Sequence, residues 1–95
     1  MAHLAGLEGL AAGIVFALST DTVTIGRDGS GDIVLMDNTV SRVHARLTRR
    51  ADGVFTILDL DSLGGVFVNG QRTQQASLAT GDLLQIGDSV FRFET

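Results

Sequence analysis

An all-β fold, an antiparallel β-sandwich of short strands, is predicted by three observations. Apolar residues recur at spacing two or in short runs, and helical spacing of three to four is nearly absent. Turn chemistry punctuates these runs at Asp52-Gly53, Asn69-Gly70, Gly81-Asp82 and Gly87-Asp88. No helical stretch separates them to serve as a crossover, so the strands pair with close neighbours. The 95 residues are 44% hydrophobic and 19% charged, which is too apolar for disorder and enough for one core. Residues 1–95 are therefore read as a single domain.

In chain order, a short strand is expected near Leu4 to Leu7 and another over Gly13 to Leu18. Thr22 to Gly26 follows, then a very short Ile33 to Leu35. Val43 to Arg49 and Val54 to Leu60 alternate apolar and polar residues around Asp52-Gly53, as two half-buried strands of a hairpin do. Val66 to Val68 and a strand after Gln71 flank Asn69-Gly70, the strongest hairpin signal here because both residues tolerate positive φ. Leu83 to Ile86 and Ser89 to Phe93 complete the set. The five phenylalanines, Phe16, Phe55 and Phe67 among them, are assigned to the core; Phe91 and Phe93 share one strand face.

Composition also excludes. No apolar run reaches the roughly 18–20 residues of a membrane helix; Leu10 to Leu18 is too short and holds Gly13. Basic residues that would open a secretory signal are missing from the first residues, and there is no cysteine, which fits a reducing, cytoplasmic setting. A formal net charge of −4 speaks against a nucleic-acid partner, whose phosphates call for basic surface, and the absence of Tyr and Trp speaks against a base-stacking platform. No metal, cofactor or membrane partner is expected. All seven basic residues are arginine, and Arg42, Arg46, Arg49 and Arg50 fall close together, where the first explanation is a solvated strand face.

Three loops carry the polar chemistry: Gly26-Arg27, Ser41-Arg42-Val43-His44, and Asp61 to Gly65. From Ser41 the chain runs out to the Asp52-Gly53 turn and back, so 61–65 return to the end that holds Ser41. Arg27 joins them only if 28–40 is an irregular excursion rather than a full traverse. Together they would bring an arginine fork, a hydroxyl and Gly-rich backbone N–H groups to one rim. Those are the parts of a phosphate site, because charge-assisted bonds to phosphate oxygens are the strongest available.

In family order and at family-like spacing, Gly26-Arg27, Ser41-Arg42-Val43-His44-Ala45 and Asp59 through Gly70 resemble the signature of forkhead-associated (FHA) domains. The resemblance covers nearly the whole chain. It implies an eleven-stranded sandwich, monomeric as a domain, whose loops at one end bind phosphothreonine in a partner protein, the product of a Ser/Thr kinase. It further implies that Arg27 clamps the phosphate, that the Ser41 hydroxyl bonds a phosphate oxygen, and that Arg42 adds a contact. His44, Gly26, Asn69 and Gly70 are implied as structural support.

Two positions depart from the pattern. Where the family places an asparagine that bridges the bound peptide's backbone, this chain has Gly64, and Leu63 stands where a polar residue often lines the threonine pocket. Weaker or altered peptide recognition is expected, and a phosphate-independent docking module of the same fold is the alternative. An enzyme is disfavoured: Ser41, His44 and Asp59 or Asp61 are the residue types of a hydrolytic triad, but nothing suggests an oxyanion hole.

Overall fold

The computed structural model describes residues 1–95. Eleven strands follow one another: β1 (His3–Glu8), β2 (Val15–Ala17), β3 (Thr22–Gly26), β4 (Ile33–Val34), β5 (Ala45–Arg49), β6 (Phe55–Asp59), β7 (Val66–Val68), β8 (Gln71–Thr73), β9 (Gln75–Ser77), β10 (Leu83–Ile86) and β11 (Ser89–Glu94). The only helical element is a 3-10 turn at Gly9–Ala11, and no helix is long and apolar enough to cross a membrane. One sheet has the order β2-β1-β11-β10-β7-β8 and the other β4-β3-β5-β6-β9.

Alternation decides what each strand buries. On β5, Ala45 and Leu47 point inward while Arg46 and Thr48 stay exposed; on β6, Phe55 and Ile57 are buried in the same phase. The facing sheet contributes Leu4, Val66, Leu84, Ile86, Phe91 and Phe93. Phe55 meets Phe93 edge to face at 5.6 Å, joining the two layers. Each such side chain withdrawn from water contributes about 1.5–3 kcal/mol before entropy.

Three details differ from the sequence reading. Phe67 is not core: it lies one residue from the buried Val66, pairs opposite exposed Arg72, and so belongs to the outer face. The strand β9 carries no apolar alternation to announce it. It is a polar edge strand, held by pairing with β6 at Thr56, Ile57 and Leu58. The strand expected from Val43 begins at Ala45 instead, because Ser41 to Val43 are part of a loop.

The arrangement is antiparallel except for one pair. β4 runs parallel to β3, with Ile25 opposite Ile33 and Gly26 opposite Val34. After Gly26 the chain doubles back, and Asp32 returns to Thr24: its N–H donates to the Thr24 carbonyl at 3.1 Å, and its carboxylate accepts the Thr24 N–H at 2.9 Å. β4 then repeats the direction of β3, so Leu35 ends beside Gly26, its N–H 2.8 Å from that carbonyl. The segment 28–40 is thus an excursion, and Arg27 and Ser41 share one end of the sandwich.

Candidate functional site

Close backbone approach assembles the rim. The Arg27 N–H donates to the Ser41 carbonyl and the Asp28 N–H to the Arg42 carbonyl, both at 3.0 Å. This lacing demands glycine at position 26, where a Cβ would stand 2.2 Å from the Arg42 carbonyl oxygen. The half-buried Arg27 side chain is anchored as well: its Nε donates to the Val40 carbonyl at 3.1 Å. The two terminal amino groups of the guanidinium remain as an unused fork of donors.

Ser41 is poised in a complementary way. Its Oγ accepts the Leu63 N–H at 3.2 Å. A hydroxyl has one proton to give, so a bond it accepts leaves that proton for an acceptor outside the chain. The backbone N–H groups of Arg42 and Gly64 bond to nothing else in the chain, which adds two donors at the same rim. Three nearby carboxylates bond backbone N–H groups, Asp28 that of Ser30, Asp37 that of Thr39 and Asp59 that of Ser62, while the exposed Asp61 carboxylate bonds none.

His44 is fully buried and works as a strut. Its Nδ1 accepts the Ser41 N–H at 3.0 Å, which places the ring proton on Nε2, and Nε2 donates to the Gly65 carbonyl at 2.8 Å. One neutral imidazole thereby spaces the Ser41 loop from the 61–65 loop. The latter is self-braced, with the Gly65 N–H on Ser62 Oγ at 2.9 Å and the Ser62 N–H on Asp59 Oδ1 at 3.1 Å. Because His44 bonds the backbone of Ser41 and not its hydroxyl, the Ser-His-Asp combination is not assembled as a nucleophile and base.

Gly26, Arg27, Ser41, Arg42, His44, Leu63 and Gly64 therefore converge. Asn69 and Gly70 do not. They close the β7–β8 hairpin at the other end of β7, with φ of 51° and 82°, and Asn69 ties that turn to β10 by accepting the Leu83 N–H at 2.9 Å. Their support is for sheet register, a strand's length from the rim. At the rim itself, Leu63 is 95% exposed at the loop tip and Arg42 lines a cavity of about 200 Å³ with Thr24, Asp28, Ser30 and Gly31.

The sequence reading missed Val40, Thr39, Ser62 and Arg72. Val40 acts through its carbonyl, which no side-chain pattern reveals. Thr39 Oγ1 accepts the Asp88 N–H at 3.0 Å, pinning the Ser41 loop to the β10–β11 turn. Asp37-x-Thr39 and Asp59-x-x-Ser62 carry the usual signal of aspartates that bond nearby backbone N–H groups.

Known proteins share this fold. A family model described as "Inner membrane component of T3SS, cytoplasmic domain" matches residues 6–95. The crystal structure of the FHA domain of the CT664 protein from Chlamydia trachomatis superposes with a TM-score of 0.91 at 31% identity, over 99% of this chain and 96% of that one. The chain is an FHA domain and belongs to that family. Mycobacterium tuberculosis EmbR, solved in complex with a low-affinity phosphopeptide, contains a similar domain: TM-score 0.88 and 34% identity, over 98% of this chain and 24% of EmbR. The oxoglutarate dehydrogenase inhibitor of Corynebacterium diphtheriae is 46% identical over 76 residues, 80% of this FHA chain and 52% of that protein. The chain thus spans about half the length of that curated relative.

Proposed function

We propose that residues 1–95 act as one phosphothreonine-reading module that docks threonine-phosphorylated segments of a partner protein on the rim formed by Arg27, Ser41, Arg42, Leu63 and Gly64. The observation that carries this reading is the pairing of two anchored donors with free protons. Arg27 is held by Nε with its terminal amino groups open, and Ser41 accepts from Leu63 with its own proton open. A dianionic phosphate supplies three strong acceptor oxygens to such donors. The phosphopeptide bound by EmbR and the inhibitor role of the corynebacterial relative support a binding role, not a catalytic one. A cytoplasmic setting fits a module that reads kinase products.

The test is direct. A phosphothreonine peptide library is expected to yield binders to the purified chain, with the unphosphorylated twins at least tenfold weaker. Arg27→Ala is expected to abolish that difference. Equal binding of both forms retires the reading.

A second reading, docking without phosphate, is favoured by one observation: the loop tip offers an exposed leucine and, at Gly64, no side-chain amide. It requires partners that bind equally well before and after phosphatase treatment.

A further inference from the structure

Ion pairs engage three of the arginines: Arg49 with Asp21, Arg50 with Asp52 and Arg92 with Glu94. Arg27 and Arg42 belong to the rim, and Arg46 lies on the outer face of the five-stranded sheet opposite Thr24 and Leu58. Arg72 is the remaining cation, exposed on β8 and paired with no carboxylate. Its guanidinium nevertheless lies beside the 61–65 loop. It runs back along β7 to Gly65, where a Cβ would stand 2.6 Å from Nε and 2.9 Å from Cζ. Gly65 has φ +81°, so the absence of a side chain serves both the loop's turn and the seat of the guanidinium.

Gly65 is also the residue that His44 and Ser62 hold in place, two positions from Leu63, whose N–H reaches Ser41. The 61–65 loop thus has the Ser41 hydroxyl on one flank and the Arg72 guanidinium on the other. Asp59 and Asp61 form no ion pair with Arg72; they line a surface dent with Leu58, Leu60 and Gln74. Between Ser41 and Arg72 the loop carries Leu63 at its tip and then Gly64 and Gly65, which have no side chain.

We propose that Arg72 is a specificity-determining residue. It selects partner segments that carry a second oxyanion, an acidic side chain or another phosphate, within a few residues of the phosphothreonine and on the six-stranded-sheet side of the 61–65 loop. A planar guanidinium loses less freedom for each hydrogen bond it forms than a lysine does and fits carboxylate and phosphate alike. This selection rests on the phosphothreonine reading above.

The experiment measures affinities by fluorescence anisotropy for a parent phosphothreonine peptide with alanine at each flanking position. Glutamate, and separately a second phosphothreonine, is then scanned from four residues before to four after the phosphothreonine. At one or two neighbouring positions, wild-type chain is expected to gain about two- to fivefold from glutamate and more from the second phosphate. Arg72→Gln is expected to erase that gain, Arg72→Glu to turn it into a preference for lysine, and Arg46→Gln to leave it intact. A gain that survives Arg72→Gln, or no gain at any position, overturns the proposal while phosphate dependence stands. Loss of phosphate dependence in wild type overturns both readings together.

Discussion

Ser41 holds its hydroxyl oxygen on the Leu63 N–H and keeps its proton free, so Ser41→Ala removes one charge-assisted bond without opening the core. Such bonds contribute roughly 1.5–3 kcal/mol, and calorimetric titration should show phosphopeptide affinity falling about ten- to hundredfold, with the weak binding of the unphosphorylated twin unchanged. Gly64 offers the opposite experiment. A Cβ there would stand 3.5 Å from the Thr39 carbonyl oxygen, an ordinary contact, and its φ is not left-handed, so Gly64→Asn is expected to fold. The added amide should bond the peptide backbone and tighten phosphopeptide binding severalfold. A variant that folds but shows no gain would favour docking without phosphate. Arg27, Ser41 and Gly64 were legible as residue types in a spaced pattern; the bonds that leave their donors free were not, because each involves a backbone atom of a distant loop.

At the scale of elements, the β3–β4 excursion is what makes a site. A full traverse would have carried Ser41 to the far end, and the parallel pairing of a two-residue β4 with β3 keeps it beside Arg27. That junction depends on Gly26. Its replacement by alanine forces a methyl group into the Arg42 carbonyl, and overpacking of this kind costs about 1–3 kcal/mol. Gly26→Ala should therefore lower the melting temperature and weaken phosphopeptide binding together, whereas Ser41→Ala should weaken binding with little change in melting; thermal scans of the two variants side by side distinguish these outcomes. Most strands could be placed from alternation and turn residues, as at Thr22–Gly26 and Leu83–Ile86. The polar Gln75–Ser77 could not, since an edge strand of this kind is defined by pairing with β6 rather than by its own pattern.

For the whole molecule, ligand and proton linkage give two separable pH windows. A phosphopeptide at a hundred times its dissociation constant should add about 2.7 kcal/mol to the folded state and, at about 4–8 °C per kcal/mol, raise the melting temperature by roughly 10–20 °C. The unphosphorylated twin should add almost nothing. Affinity should fall as pH drops through about 6, where the phosphate dianion takes up a proton. Stability behaves differently. Hydrogen bonds from Arg50 and Arg92 hold the Asp52 and Glu94 carboxyls below their ordinary values. Carboxyls of this kind stabilise the fold above their unfolded pKa, and the contribution is lost as pH falls through the folded one, which lies below the ordinary carboxylate range. Both pairs are exposed, so this loss should be small and reduced by salt in melting curves between pH 7 and 3.

By itself the sequence determined the β class, the inward phase of most strands and the three loops that carry polar chemistry, because alternation and turn residues are local properties of a chain. Phe67 shows the limit of that reasoning: its type suggested the core, and only its pairing opposite Arg72 put it outside. The same pairing seats the Arg72 guanidinium on a glycine seven residues earlier in the chain. Which donors stay free at the rim, and which arginine lies beside them, was decided by tertiary structure. Each of those facts is a distance between segments far apart in the chain, set by how two sheets stack and not by any neighbouring residue.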